Sequence, residues 1–130
     1  ANQDISVLLD QNTLPDEGGE FVEFFGLPVP MSRAVASLGL KTGSDIKPAF
    51  CAARPDGTYL AYTLPRVTAA ELKREPGQAT QRVARLLEVE IRRCPEQWLW
   101  MYKRWKFIPA GAARERYPYY ARDYQGRTTA

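Results

Sequence analysis

The 130 residues contain no histidine. That absence excludes a Ser-His-Asp triad, a Cys-His pair and any histidine-ligated metal site within the chain. Cysteine is scarce: Cys51 and Cys94 allow at most one bridge and cannot build a structural zinc site by themselves. Both lie in apolar stretches and read as free, buried thiols of a reducing compartment. No apolar run approaches the roughly 20 residues that span a bilayer. The opening Ala-Asn-Gln-Asp-Ile-Ser-Val lacks the basic-then-apolar pattern of a signal peptide. Membrane contact is therefore expected to be peripheral, or to come from residues outside this chain. Neither GxxxxGK[ST] nor GxGxxG occurs, so no nucleotide loop is expected. No cofactor and no metal is expected either.

What is present is ordinary in bulk and uneven in distribution. The length fits one domain with a small core, and 45% apolar with 25% charged residues is usual for a globular protein. Residues 1–60 carry four basic against eight acidic residues, a net −4. Residues 92–130 carry nine basic against three acidic, a net +6. A basic final third points to an anionic partner, or to a solvated basic tail. Nucleic acid is not expected: no nucleic-acid motif is present and the first 60 residues are acidic.

Ile5–Leu9 reads as a buried strand with polar groups at its end. Residues 13–20 form a loop from their Pro, Gly and acidic content. Phe21–Phe25 is extended, and prolines 28 and 30 keep 27–30 from being helical. Ser32 is a plausible N-cap for a helix over 33–41, with Val35, Leu38 and Leu40 on its apolar side and Gly43 at its end. Two strands about Pro55-Asp56-Gly57 make a β-hairpin over about 46–64. Thr68 to Glu71 has capping-box form, and Pro76-Gly77 interrupts that helix. A longer helix follows over 79–94, with Val83, Leu87, Ile91 and Cys94 on one face. Pro95 opens a further short helix to Tyr102. The fold class expected is α/β, a mixed sheet with that hairpin and packed helices. Residues 1–109 read as the globular part and 110–130 as an extended basic and aromatic arm.

The segment 95–106, PEQWLWMYKRWK, holds three tryptophans and a cluster of cations in twelve residues. It resembles the PEQW-W--RRWK signature near the C-terminus of the bacterial lipid A lauroyl and myristoyl acyltransferases, of the lysophospholipid acyltransferase superfamily. Leu9-Asp10-Gln11 resembles that family's strand-then-DQ element. Phe21 to Gly26, FVEFFG, resembles its FVPFFG block, with Glu23 where proline is usual. Arg54 to Tyr59 resembles its R-x-DG-x-Y stretch, and Arg114 to Tyr117 its final R-Y. Order and spacing agree over residues 5–117.

The resemblance implies the C-terminal part of the glycerolipid acyltransferase fold. It also implies transfer of a fatty acyl group from acyl carrier protein to a lipid A precursor, at the cytoplasmic face of the bacterial inner membrane. The family's general base is the histidine of a His-x-x-x-x-Asp/Glu motif, which lies upstream of these blocks. No catalytic residue is therefore assigned here, and the chain alone is expected to be inactive. A half-enzyme would leave strand edges exposed, so a missing N-terminal half or self-association is expected to cover them. The alternative is a non-catalytic module binding acyl carrier protein or anionic lipid.

Several residues then carry two readings each. Asp10 and Gln11 shape an acceptor site or cap a turn. Phe24, with Phe21 and Phe25, walls an acyl groove or fills the core. Trp98, Trp100 and Lys103 meet the membrane interface, or the tryptophans pack inward. Arg104, Lys106 and Arg54 bind phosphate or are solvated. Glu23 faces solvent or an acceptor.

Overall fold

Phe25 and Gly26 reverse the chain between β1 (Gly19–Phe24) and β2 (Leu27–Ser32). Both turn residues have positive φ, 51° and 77°, as the twist of a two-residue hairpin demands. The computed structural model describes residues 3–126. Pro28 and Pro30 stand within β2 opposite Glu23 and Phe21. A proline has no N–H to give, so it fits only where the strand faces outward. The remaining outward carbonyls are covered: Tyr117 Oη donates to Pro28 O at 3.0 Å and Arg104 Nη1 to Pro30 O at 3.2 Å. The opposite edge is closed by a side chain. The Gln81 amide accepts from Glu23 N–H at 2.7 Å and donates to Glu23 O at 2.8 Å, as a neighbouring strand would. The Glu23 side chain itself faces solvent.

The main core is one face of this hairpin against α3 (Ala79–Arg93). Val22, Phe24, Val29 and Met31 meet Val83, Ala84 and Ile91. Helix α1 (Ala34–Thr42) and the capping-box helix α2 (Ala69–Arg74) form a second cluster, with Ala36, Val67, Leu72 and Ala79 buried. Thr68 and Glu71 exchange the reciprocal capping bonds expected of them, and Gly43 ends α1 at φ 69°. The α1 face differs from expectation. Ala36 and Gly39 are buried and Leu40 packs beside them as expected, while Leu38 is exposed; at Gly39 the Leu72 side chain of α2 leaves no room for a Cβ.

The expected hairpin is present as β3 (Ala49–Ala53) and β4 (Tyr59–Thr63), turned at Gly57. Ile46 leaves it and bridges Val67. Little covers this hairpin, so Cys51 is exposed rather than buried, while Cys94 is half-buried; both thiols are free. The fold is thus α/β, and among the described residues its strands lie in three pairs rather than one continuous sheet.

Three expectations fail for one reason: tertiary partners, not local pattern, decide them. Ile5–Leu9 is not a strand among the described residues. A strand needs a ladder partner and none is there, so Ile5 and Leu8 are 72% and 91% exposed and only Leu9 packs on the core. Residues 95–102 are not one helix: a 3-10 turn over Pro95–Gln97 ends as Trp98 becomes extended, and a second turn follows at Leu99 to Tyr102. The Trp98 indole packs on Phe24. The segment after 109 folds back instead of standing off as an arm. Arg122 N–H donates to Lys106 O and Tyr124 N–H to Ile108 O, pairing β5 (Phe107–Ile108) with β6 (Arg122–Asp123) in parallel. Ile108, Tyr117 and Ala121 make a third buried cluster. Residues 127–130 of the expected arm lie outside the described residues, as do 1 and 2.

Candidate functional site

Asn12 joins the incoming chain to the tryptophan-rich segment. Its N–H donates to Tyr102 Oη at 2.7 Å and its Nδ2 to Lys103 O at 3.2 Å. Its Oδ1 accepts from Arg104 Nη1 at 2.7 Å. Arg104 is the largest fully buried side chain, 1% exposed, with its guanidinium 5.4 Å from the Phe24 ring centre. Burial pulls it down to about 10, against the opposing influence of Tyr102 and Asp10, so it stays cationic at neutral pH. Its Nη2 is buried with no hydrogen-bond partner among the described residues.

Beside this buried arginine lies an open cleft of about 570 Å³. Asn12, Tyr102, Lys103, Lys106 and Arg122 line it, with Glu17 the one carboxylate in its wall. A smaller cleft of about 250 Å³ adjoins it through Leu14, Phe107 and Arg122. Lys106 Nζ and the Arg122 guanidinium both lie over the Phe107 ring, 5.4 and 5.1 Å from its centre. Lys103 Nζ lies 5.6 Å from the Tyr120 ring. None of these three cations has an ion-pair partner among the described residues.

The model of the bacterial lipid A biosynthesis acyltransferase family matches residues 1–107. The chain belongs to that family. Comparison with curated proteins and with solved structures gives no match.

Within this acyltransferase family member the signature segment is a clamp. Gln97 of PEQW accepts from Ala53 N–H at 2.8 Å and donates to Ala53 O at 3.2 Å, tying down the β3 edge. Trp98 packs on Phe24, and Trp105 Nε1 donates to Phe24 O at 3.3 Å. Phe24 is therefore core, with Phe25 edge-on against it. Trp100 differs from the other two tryptophans: half of it is exposed, while Nε1 donates to Pro95 O at 2.6 Å.

The structure brings Lys103, Arg104 and Lys106 of the expected site residues together. Asp10 and Gln11 are exposed at a bend nearby, and Asp10 acts on Arg104 through its charge. Arg54 is separate, exposed at the β3–β4 turn, where its N–H donates to Thr58 O. Sequence reasoning passed over Asn12 and Arg122. Nothing local marks either, since both acquire their place from chain segments far away in sequence. Among the described residues no helix is long and apolar enough to cross a membrane.

Proposed function

We propose that this chain is the C-terminal portion of an acyltransferase that moves a fatty acyl group from acyl carrier protein to a lipid A precursor, at the cytoplasmic face of the inner membrane. One observation carries this reading: a family match over residues 1–107 in a chain without a single histidine. Deprotonating a sugar hydroxyl near pH 7 needs a base poised there, and imidazole is the usual one. The catalytic imidazole is then supplied from outside these residues, and this chain provides scaffold and substrate-facing walls. The exposed Ile5, Val7 and Leu8 fit a face covered by such a segment or by a second copy.

The test is turnover. The chain incubated with acyl-loaded acyl carrier protein and a lipid A precursor should transfer nothing above background. A version extended through an in-frame His-x-x-x-x-Asp/Glu motif read upstream of Ala1 should transfer acyl groups and lose that activity on His→Ala. Turnover by the 130 residues alone would overturn the reading. A second reading, a non-catalytic module for acyl carrier protein or anionic lipid, is favoured by the unpaired cations of the cleft. Failure to bind either at low salt would remove it.

A further inference from the structure

We propose that the cleft at Lys103, Lys106 and Arg122 holds the phosphate of an anionic phospholipid, while the Leu99-Trp100-Met101 turn enters the lipid beside it. This deepens the membrane placement in the acyltransferase reading. Acyl transfer is scored by turnover and this site by vesicle partition, so either can fail without the other.

The charge pattern is the first support. Elsewhere on the surface cations either stand singly, as Arg54 and Arg85 do, or find carboxylates: Arg66 meets Asp45, Arg82 meets Glu71 and Glu75, Arg92 meets Glu88, and Arg114 meets Asp123. The cleft gathers three cations that do neither. Two of them share one aromatic ring, so their mutual repulsion is held in place by packing rather than relieved. Beside them Arg104 keeps an unpartnered Nη2 and bonds Asn12, a residue of the cleft wall. Glu17 in the wall, and Asp16 and Asp123 in the adjoining cleft, are the nearby carboxylates. Asp123 is engaged by Arg114. A phosphate supplies the counter-charge that such a site lacks.

The second support is apolar and independent. Leu99, Trp100 and Met101 are 65%, 52% and 87% exposed in consecutive positions, although leucine and methionine usually bury. Met101 also lines the cleft. The turn is built: Trp100 N–H donates to Trp98 O, Tyr102 N–H to Leu99 O, and the Trp100 indole to Pro95 O. A phosphate in free solution has no use for three projecting apolar side chains, whereas a lipid surface takes both chemistries at one place.

The test is partition of the full chain onto vesicles of phosphatidylcholine with 30% phosphatidylglycerol, a composition on the order of that used to read polybasic attraction. Binding should occur at low salt with a blue shift of tryptophan emission, and fall as salt rises. Pure phosphatidylcholine vesicles should bind at least roughly tenfold more weakly. The double variant Lys106→Gln, Arg122→Gln should lose about tenfold in partition. Leu99→Ser with Met101→Ser should weaken partition and abolish the blue shift while leaving stabilisation by inorganic phosphate unchanged. Arg85→Gln, an exposed cation outside the cleft, should leave partition unchanged. Equal binding to neutral vesicles, an Arg85→Gln loss matching that of the cleft variant, or stabilisation by inorganic phosphate without vesicle binding would each overturn the proposal.

Discussion

Asn12 and Arg104, 92 residues apart in the chain, are joined by a 2.7 Å hydrogen bond from Nη1 to Oδ1. This contact fastens the N-terminal segment to the tryptophan-rich segment, and Pro30 O on β2 accepts from the same guanidinium nitrogen. Removing a buried partner leaves the other groups desolvated and unpaired. Arg104→Ala should therefore cost about 3 kcal/mol, and Asn12→Ala about 1–2 kcal/mol. In urea denaturation the double variant should cost less than the sum of the two, as expected for groups in contact. Strict additivity would show that the bond contributes nothing.

Gly39 invites the wrong repair. In an isolated helix Gly→Ala gains about 1 kcal/mol. Here a Cβ would fall 2.7 Å from Leu72 Cδ1 and 3.2 Å from Ser44 O, and Leu72 is fully buried. Overpacking of this kind costs about 1–3 kcal/mol. Gly39→Ala should thus lower the melting temperature. A rise in melting temperature would contradict the α1–α2 packing.

Tyr62 should make stability fall at alkaline pH. Its hydroxyl donates to the buried Glu90 carboxylate, and chiefly that bond pushes it up to about 12 from the ordinary 10.0. The folded state therefore keeps a proton that the unfolded chain releases. The contribution is complete below pH 10 and is lost as pH rises towards 12. Tyr117, Tyr120 and Tyr124 are raised as well, mainly by burial, so the readout is the difference between wild type and Tyr62→Phe. That difference should shrink across this window; a constant gap would refute the linkage.

Gln97 completes the β3 edge with both ends of its amide. A carboxylate of the same size accepts but cannot donate. Gln97→Glu should speed hydrogen exchange at Ala53 and its ladder neighbours while leaving α3 protected. Unchanged exchange at Ala53 would mean that the β3–β4 hairpin is held by the Tyr62–Glu90 bond and the Ile46–Val67 bridge alone.

The candidate site was half legible. Lys103, Arg104 and Lys106 stand out by charge among tryptophans, but charge does not say which faces inward. Arg104 is the buried member because Asn12 and Pro30 O wait for it, and neither lies near it in sequence. Trp98 and Trp105 were ambiguous for the same reason; their fate depends on Phe24. Arg122 entered the cleft only through the parallel pairing of β5 with β6.

Pro55-Asp56-Gly57 turns, Thr68 and Glu71 cap, Gly43 terminates, and Val83, Leu87 and Ile91 recur at helical spacing. These features the amino-acid order determined unaided, because each rests on atoms within a few residues of one another. The family blocks were readable too, as an ordered pattern. Ile5–Leu9, residues 95–102 and residues 110–126 were settled only by tertiary structure. Such segments lack a periodicity that local chemistry could read, so their conformation follows from hydrogen bonds and packing to groups 16 to 108 residues distant. Local chemistry is silent about those.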